Sequence, residues 1–345
     1  MEEGYSLNKE TTSERRTIPF AFTLIAGILL LIAMFGVAMA SGAADISLRD
    51  VWLALTSTAT SDTISLIREI RLPREVGGIF VGAGLAVAGA IMQGMTRNPL
   101  ADPGLLGLTA GANAALALTI ALLPSTSSFS RMVACMIGAA VGALLVLGIG
   151  SLKRGGFSPF RIVLAGVAVH SFLYAIAEGI GLMFKISKDV SMWTAGGLVG
   201  TTWSHLYTVV PFIITGILIS LFLSRQLTIL SLNEEVAVGL GQKTTQVKAI
   251  LFLVIILLVG ASVALIGNMA FIGLMIPHIV RAIVGTDYRF VIPMCALAGA
   301  SFMLIADTLG RVINAPYETP AVAVVTILGL PFFLFIVRKG GRAFT

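Results

Sequence analysis

The chain has 345 residues, of which 57% are hydrophobic and 12% are charged, and its mean hydropathy is +0.98. A soluble domain carries about 25% charged residues, so this composition excludes a water-covered globular domain and indicates a protein dissolved largely in lipid. The net charge of +6 comes from basic residues at the ends of apolar runs, which favours membrane orientation over nucleic-acid binding.

Ten apolar runs predict an all-α, polytopic membrane protein, because a spanning helix needs roughly 20 apolar residues. The predicted spans cover residues 18–40, 75–95, 101–123, 131–151, 162–183, 205–223, 247–266, 268–284, 290–308 and 320–337. Residues 1–17 are polar and predict a cytosolic tail. Residues 18–340 predict one transmembrane domain, since lipid does not tolerate unpaired backbone.

The distribution of basic residues predicts the orientation of these spans. With ten spans and a cytosolic amino terminus, 15 of the 23 Lys and Arg residues fall on the cytosolic side and 8 on the other. Basic residues accumulate in cytosolic loops. Both termini are therefore predicted to be cytosolic.

Small residues inside the apolar runs predict close helix packing. The glycines at 78 and 82, 107 and 111, and 138 and 142 each show the spacing that lets membrane helices approach closely. Cys135 and Cys295 lie in apolar runs and are predicted to be small buried side chains. The sequence contains no catalytic triad or metal-ligand spacing, so no cofactor, metal or enzymatic activity is predicted.

Residues 224–246 form a polar stretch between two spans and predict a short amphipathic helix on the cytosolic face. Asn233 is a candidate N-cap, and Glu234 and Glu235 favour the first turn electrostatically. Gly239 or Gly241 is expected to end the helix. An alternative is a helix resting on the membrane surface, which its acidic first turn disfavours.

Six blocks of the sequence, in order along the chain, together resemble the FecCD family of ABC importer permeases for siderophores, haem and cobalamin. They are Arg-Leu-Pro-Arg at 71–74, the run at 89–104 with Asn-Pro-Leu-Ala-Asp-Pro-Gly, Glu-Glu-Val-Ala-Val-Gly-Leu-Gly at 234–241, the Gly-Leu-Met-Ile-Pro-His run at 271–281, Ala-Asp-Thr-Leu-Gly-Arg at 306–311 and Gly-Leu-Pro-Phe-Phe at 329–333.

The resemblance implies a ten-span subunit of the bacterial cytoplasmic membrane without an ATP site of its own. A pair of such subunits would enclose the pathway, a cytosolic ABC ATPase dimer would drive it, and an extracytoplasmic binding protein or lipoprotein would deliver the substrate. The second permease subunit is expected to be a different, homologous chain. Transport would proceed by alternating access.

Individual site residues follow from the same resemblance. Docking of the binding protein is expected at Arg71, Arg74 and Arg311, for which contact with lipid headgroups is the alternative. Coupling to the ATPase is expected at Leu232, Glu234, Glu235, Val236, Leu240 and Gly241, where the three apolar residues are spaced four apart, as a helix-in-groove contact needs.

The residues expected along the pathway match the family's pattern less closely than those expected for docking and coupling. The resemblance places a gate at two turns, with the residues Asn98, Pro99, Leu100, Ser158, Pro159 and Phe160. Relatives often have small hydroxyl residues at the second turn, where this chain has Pro159 and Phe160. Glu178 lies within the fifth span, where polar groups are costly and tend to be functional. It could contact substrate or a partner helix, or it could reach water near the outer interface.

The resemblance favours an Fe(III)-siderophore, with hydroxamates among the candidates, and leaves haem and cobalamin as alternatives. A second alternative is an ion-coupled secondary transporter that uses Glu178 as its coupling carboxyl. A third is a sensor or scaffold, which would need an additional soluble module.

Overall fold

A computed structural model describes residues 19–42, 46–58, 60–104, 106–151, 159–188, 197–232, 234–315 and 317–338. The predicted tail, residues 1–17, lies outside the described residues. The described chain is helical. Its helices are α1 Phe20–Ala40, α2 Leu48–Thr56, α3 Asp62–Leu66, α4 Leu72–Thr96, α5 Leu108–Leu122, α6 Ser128–Ser151, α7 Pro159–Met183, α8 Trp203–Phe222, α9 Ser224–Leu232, α10 Glu234–Gly239, α11 Thr244–Ile266, α12 Ile272–Val284, α13 Tyr288–Val312 and α14 Ala321–Arg338, with a π-helical turn, Ile67–Arg71, between α3 and α4.

The predicted all-α, ten-span architecture is confirmed. Within the described residues, seven helices are long and apolar enough to cross a membrane, and three further apolar helices, α5, α12 and α14, are shorter. Helices α5 and α12 begin later than the sequence predicted. Residues 101–104, 106 and 107 are not helical, and Phe271, with a φ of 68°, lies directly before α12 in the left-handed conformation. Non-glycine residues seldom adopt that conformation. The left-handed residue Phe271 marks the point where the loop ends and α12 begins.

Helix α4 is the centre of the bundle, packing against α8, α9, α11, α12 and α13. In two of these contacts the backbones of the two helices approach each other directly. A Cβ on Gly82 would overlap the carbonyl oxygen of Gly299 in α13, and a Cβ on Gly89 would overlap the backbone of Gly273 in α12. Small residues allow such approach. The sequence pattern had indicated Gly82 but not its partner.

A second backbone contact joins α5 to α6. A Cβ on Gly111 would overlap the carbonyl oxygen of Gly138, and one on Gly142 would overlap that of Gly107. The predicted packing role of these glycines is confirmed. Cys135 and Cys295 are both fully buried and unpaired, as predicted.

The predicted long connection between the first two spans is folded. Its helix α2 lies over a small apolar cluster that includes Met39, Ile64 and Ile67. The Arg68 guanidinium donates hydrogen bonds to backbone carbonyls at the end of α2, among them that of Ala54 at 2.8 Å. The Arg68 carbonyl in turn accepts a 3.0 Å hydrogen bond from the Trp203 indole N–H. The connection is therefore fastened to α8.

We expect Gly89→Ala to destabilise the protein by about 1–3 kcal/mol, the usual cost of overpacking, because the added methyl meets the Gly273 backbone, which cannot rotate away. The control is Gly36→Ala in α1, where no atom lies within 4 Å of the new Cβ and alanine is the better helix former. Thermal unfolding in detergent, followed by size-exclusion chromatography, compares the two. Equal melting temperatures would contradict the packing role.

Candidate functional site

The three arginines predicted for docking lie together at one end of the bundle, here called the arginine end. Arg71 closes the π-helical turn, Arg74 lies in the first turn of α4, and Arg311 lies in the last turn of α13. Helices α4 and α13 pack along their lengths. This packing brings together residues more than 230 positions apart in the sequence.

Arg71 and Arg311 point inward and cap the carboxyl end of α1. Arg71 Nη1 donates to the Met39 carbonyl at 2.7 Å, and Arg311 donates to the carbonyls of Ala38 at 3.1 Å and Ser41 at 3.2 Å. The last carbonyls of a helix have no partner within it and carry partial negative charge. The two guanidinium groups satisfy them, and each arginine is only 6% exposed.

Two buried carboxylates balance these arginines. Arg311 Nη2 lies 2.5 Å from Glu75 Oε1, and Arg311 Nε lies 3.1 Å from Asp307 Oδ2. Glu75 is 0% exposed and Asp307 is 2% exposed. Taking a charge out of water costs several kcal/mol unless a partner is well placed. The cluster therefore depends on all of its members being present.

Arg74 connects this buried cluster to the surface. Its Nε and Nη2 bind the Asp307 carboxylate at 3.0 and 2.9 Å, and its Nη1 binds the carboxylate of Glu318 at 2.9 Å. Glu318 is 42% exposed, whereas the Arg74 side chain is 12% exposed. A cavity of about 410 Å³ borders Arg74, Asp307, Glu318, His205 and residues 197–201.

The structure therefore brings the three predicted arginines together, but it pairs each with groups of the chain itself. Docking on them stays a prediction. Sequence reasoning missed the carboxylates Glu75, Asp307 and Glu318. An acidic residue in a predicted span is a signal that could have drawn attention to Glu75.

At the opposite end of the bundle, the predicted coupling segment, residues 224–246, forms the two short helices α9 and α10. The expected apolar residues are all exposed: Leu232 by 69%, Val236 by 47% and Leu240 by 68%. Leu232 is the last residue of α9, Val236 lies in α10 and Leu240 directly follows α10, which begins at Glu234 as the candidate N-cap Asn233 had indicated. Helix α10 ends at Gly239, and Gly241 takes the left-handed conformation.

Two residues of the predicted coupling segment fall wholly or partly outside the described structure. Asn233, the expected N-cap, lies outside the described residues, as does the side chain of Glu234. Glu235 is exposed on α10.

Helix α9 is attached to the start of α13 by hydrogen bonds. The Thr228 hydroxyl donates to the Asp287 carboxylate at 3.1 Å and accepts from the Tyr288 N–H at 2.9 Å. Asp287 is the N-cap of α13, accepting from the Arg289 N–H at 3.0 Å. Hydrogen bonds from the Arg289 side chain are the main cause that lowers the pKa of Asp287 below its ordinary value of 3.8.

The first predicted gate turn lies at this same end. Asn98 accepts a hydrogen bond from the Leu100 N–H at 3.0 Å, and Pro99 is exposed. Gln93, one turn earlier in α4, donates to the carbonyls of Gly273 and Leu274 and accepts from Arg281 at 2.5 Å. The turn is thereby held against α12.

The second predicted gate turn cannot be compared in the same way. Ser158 lies outside the described residues, and so do the side chains of Pro159 and Phe160, whose backbone begins α7. Glu178 is half-buried on α7, close to Tyr174 one turn earlier. Within the described residues, no group of three or more His, Cys, Asp or Glu side chains could hold a metal ion.

Comparisons with known proteins identify the family of the chain. The FecCD transport family matches residues 28–339. The iron(3+)-hydroxamate import system permease protein FhuB of Bacillus subtilis is 42% identical over 97% of this chain and 89% of its own length. The Fe(3+)-citrate import system permease protein YfmD of the same organism is 40% identical over 95% of this chain and 98% of its own length.

A similar fold is known from a solved structure. A metal-chelate type ABC transporter in an inward-facing conformation matches with a TM-score of 0.79 and 26% identity, over 92% of this chain and 99% of that one.

We expect Arg311→Met to destabilise the protein by about 3–5 kcal/mol, because it leaves Glu75 buried without its cation. The double variant Arg311→Met/Glu75→Met should recover part of this loss. Arg289→Met, which breaks an exposed pair, should cost much less than Arg311→Met. Thermal unfolding in nanodiscs measures all three, and equal losses for Arg311→Met and Arg289→Met would contradict the buried pairing.

We expect Asp287→Ala to cost about 1 kcal/mol at neutral pH, the usual worth of an N-cap. Because the folded pKa of Asp287 is lowered, its ionic contribution is complete above pH 4 and is lost as the pH falls further, through the folded pKa. The stability difference from wild type should therefore narrow below about pH 4. Asp287→Asn, which keeps an acceptor without charge, is the control, and a gap that widens in acid would contradict the assignment.

Proposed function

Since the chain belongs to the FecCD transport family, we propose that it is the membrane-spanning permease subunit of an ABC importer for an Fe(III)-siderophore. The observation that carries the proposal is the 42% identity, over nearly the whole chain, to an iron(3+)-hydroxamate permease. A hydroxamate chelate is therefore the first candidate cargo. Ferric citrate is the second, because a permease for it is almost as similar, and haem or cobalamin would follow.

The energy for transport would come from a partner ATPase dimer bound at the end of the bundle that holds α9 and α10. Leu232, Val236 and Leu240 leave apolar surface exposed there, which fits the groove of a partner protein. Glu234, Glu235 and Gly241 complete the proposed contact. This end would face the cytosol, together with both termini of the chain.

Movement of α9 would pass directly to α13, because Thr228 ties α9 to the first turn of that helix. Helix α13 has 25 residues and so extends about 37 Å, from this end to Asp307 and Arg311. A displacement at the ATPase would thus be transmitted to the arginine end. This connection supports alternating access driven from the cytosol.

The arginine end would face outward and receive an extracytoplasmic binding protein. Arg74 is the best placed of Arg71, Arg74 and Arg311, since it binds the exposed carboxylate of Glu318. Arg71 and Arg311 would hold the docking surface in shape by fixing α1. Complementary charges at such a surface steer encounter and fix orientation.

The substrate would pass between this chain and a second, homologous permease subunit, within the lipid of the bacterial cytoplasmic membrane. We place Asn98, Pro99, Leu100, Ser158, Pro159 and Phe160 at the cytosolic gate. Glu178 would line the pathway on α7, whose exposed positions include Leu164, Val167 and Phe172.

The test is uptake of radiolabelled iron by cells whose only permeases of this family are this chain and its partner subunit. We expect uptake of an iron(III)-hydroxamate chelate to exceed that of ferric citrate, haem and cobalamin. Val236→Asp should abolish uptake, because a charge interrupts the apolar contact with the ATPase, while membrane levels of the chain stay unchanged.

The matched control is Val238→Asp, which changes an exposed residue on the far side of the same short helix and should preserve most uptake. Iron uptake by vesicles that contain this chain without any ATPase would overturn the proposal in favour of an ion-coupled carrier.

A further inference from the structure

Arg74 uses two separate edges of its guanidinium group. Nε and Nη2 face the carboxylate of Asp307, and Nη1 faces both carboxylate oxygens of Glu318, at 2.9 and 3.0 Å. Planar guanidinium groups recognise carboxylates through such paired contacts. The Nη1 edge is therefore already arranged as a carboxylate-binding site.

The two carboxylates differ in how firmly they are held. Asp307 is 2% exposed and also pairs with Arg311, whereas Glu318 is 42% exposed. An ion pair open to water contributes little net stability, because water and salt compete for both partners. Glu318 is thus the partner that can leave Arg74 at small cost.

The backbone around Glu318 would not have to move for this exchange. The Thr319 N–H donates to the Gly310 carbonyl at 2.8 Å, and the Tyr317 N–H donates to the Asn314 carbonyl at 2.9 Å. These bonds hold the segment on both sides of Glu318. Rotation of its side chain alone would uncover the Nη1 edge.

The surroundings favour another carboxylate in that position. The cavity of about 410 Å³ beside Arg74 leaves room for an incoming side chain, and its described lining includes Asp307 and Glu318. Departure of Glu318 would leave the Nη1 edge of Arg74 without its carboxylate, while Asp307 would still bind Nε and Nη2. The edge that an incoming carboxylate would occupy is therefore cationic.

We propose that the Nη1 edge of Arg74 is a carboxylate site that an acidic side chain of the extracytoplasmic binding protein occupies on docking, and that Glu318 fills it in the undocked permease. This exchange rests on the docking role proposed above. Glu318 acts as an internal competitor, so the Nη1 edge of Arg74 stays paired in the free permease and the docked complex can dissociate readily.

The expected consequence is that Glu318→Gln tightens docking by roughly two- to fivefold, the factor that corresponds to one exposed ion pair. Glutamine keeps an acceptor for Arg74 while removing the competing charge. The tightening should vanish in the background of Arg74→Gln, because the site of competition is then gone.

The experiment measures the dissociation constant of the binding protein from the same transport system, on the permease–ATPase complex in nanodiscs, at low and high salt. Glu69→Gln is the matched control, because it removes an exposed carboxylate from the π-helical turn five residues before Arg74. It corrects for the general effect of removing a negative charge at this end.

The outcomes separate the two proposals. Absence of binding to the wild-type complex would refute the docking role itself. Binding that Glu318→Gln leaves unchanged, weakens, or tightens no more than Glu69→Gln does would overturn the exchange and leave docking standing. Tightening that persists in the Arg74→Gln background would also overturn it.

Discussion

The architecture of the arginine end depends on one contact, in which two buried arginines bind the carboxyl end of α1. A guanidinium group away from water is tolerated only where acceptors surround it. Here Arg71 and Arg311 find theirs in the last carbonyls of α1 and in the carboxylate of Glu75. Three helices that are distant in sequence, α1, α4 and α13, are thereby fixed in one arrangement.

The other end of the bundle meets the same constraint by different means. Arg281 is 8% exposed, and it donates a hydrogen bond to the amide oxygen of Gln93. Gln93 also satisfies carbonyls in the first turn of α12, close to where Gly89 and Gly273 touch. Polar contacts and backbone packing therefore hold α4 against α12 near Gly89 and against α13 near Gly82. Helix α4 can thus serve as the fixed centre around which other helices shift.

The spans could be predicted from the sequence because hydropathy and charge bias are local properties, read one segment at a time. The ion pairs could not, because Arg74 and Asp307 lie 233 positions apart, and only the packing of α4 on α13 brings them together. The same limit applies to Leu232. The sequence predicted the helix that begins at Glu234, but not that the residues up to Leu232 form a separate helix, since short helices depend on their tertiary contacts.

Both thiols of the chain are enclosed, since Cys135 and Cys295 are fully buried on α6 and α13. Water-soluble maleimides react with accessible thiolates, and these side chains offer none. The natural sequence is therefore already a suitable background for site-directed spectroscopy. A single dye or spin label attached through Glu318→Cys or Val236→Cys would report from one chosen end of the molecule without prior removal of native cysteines.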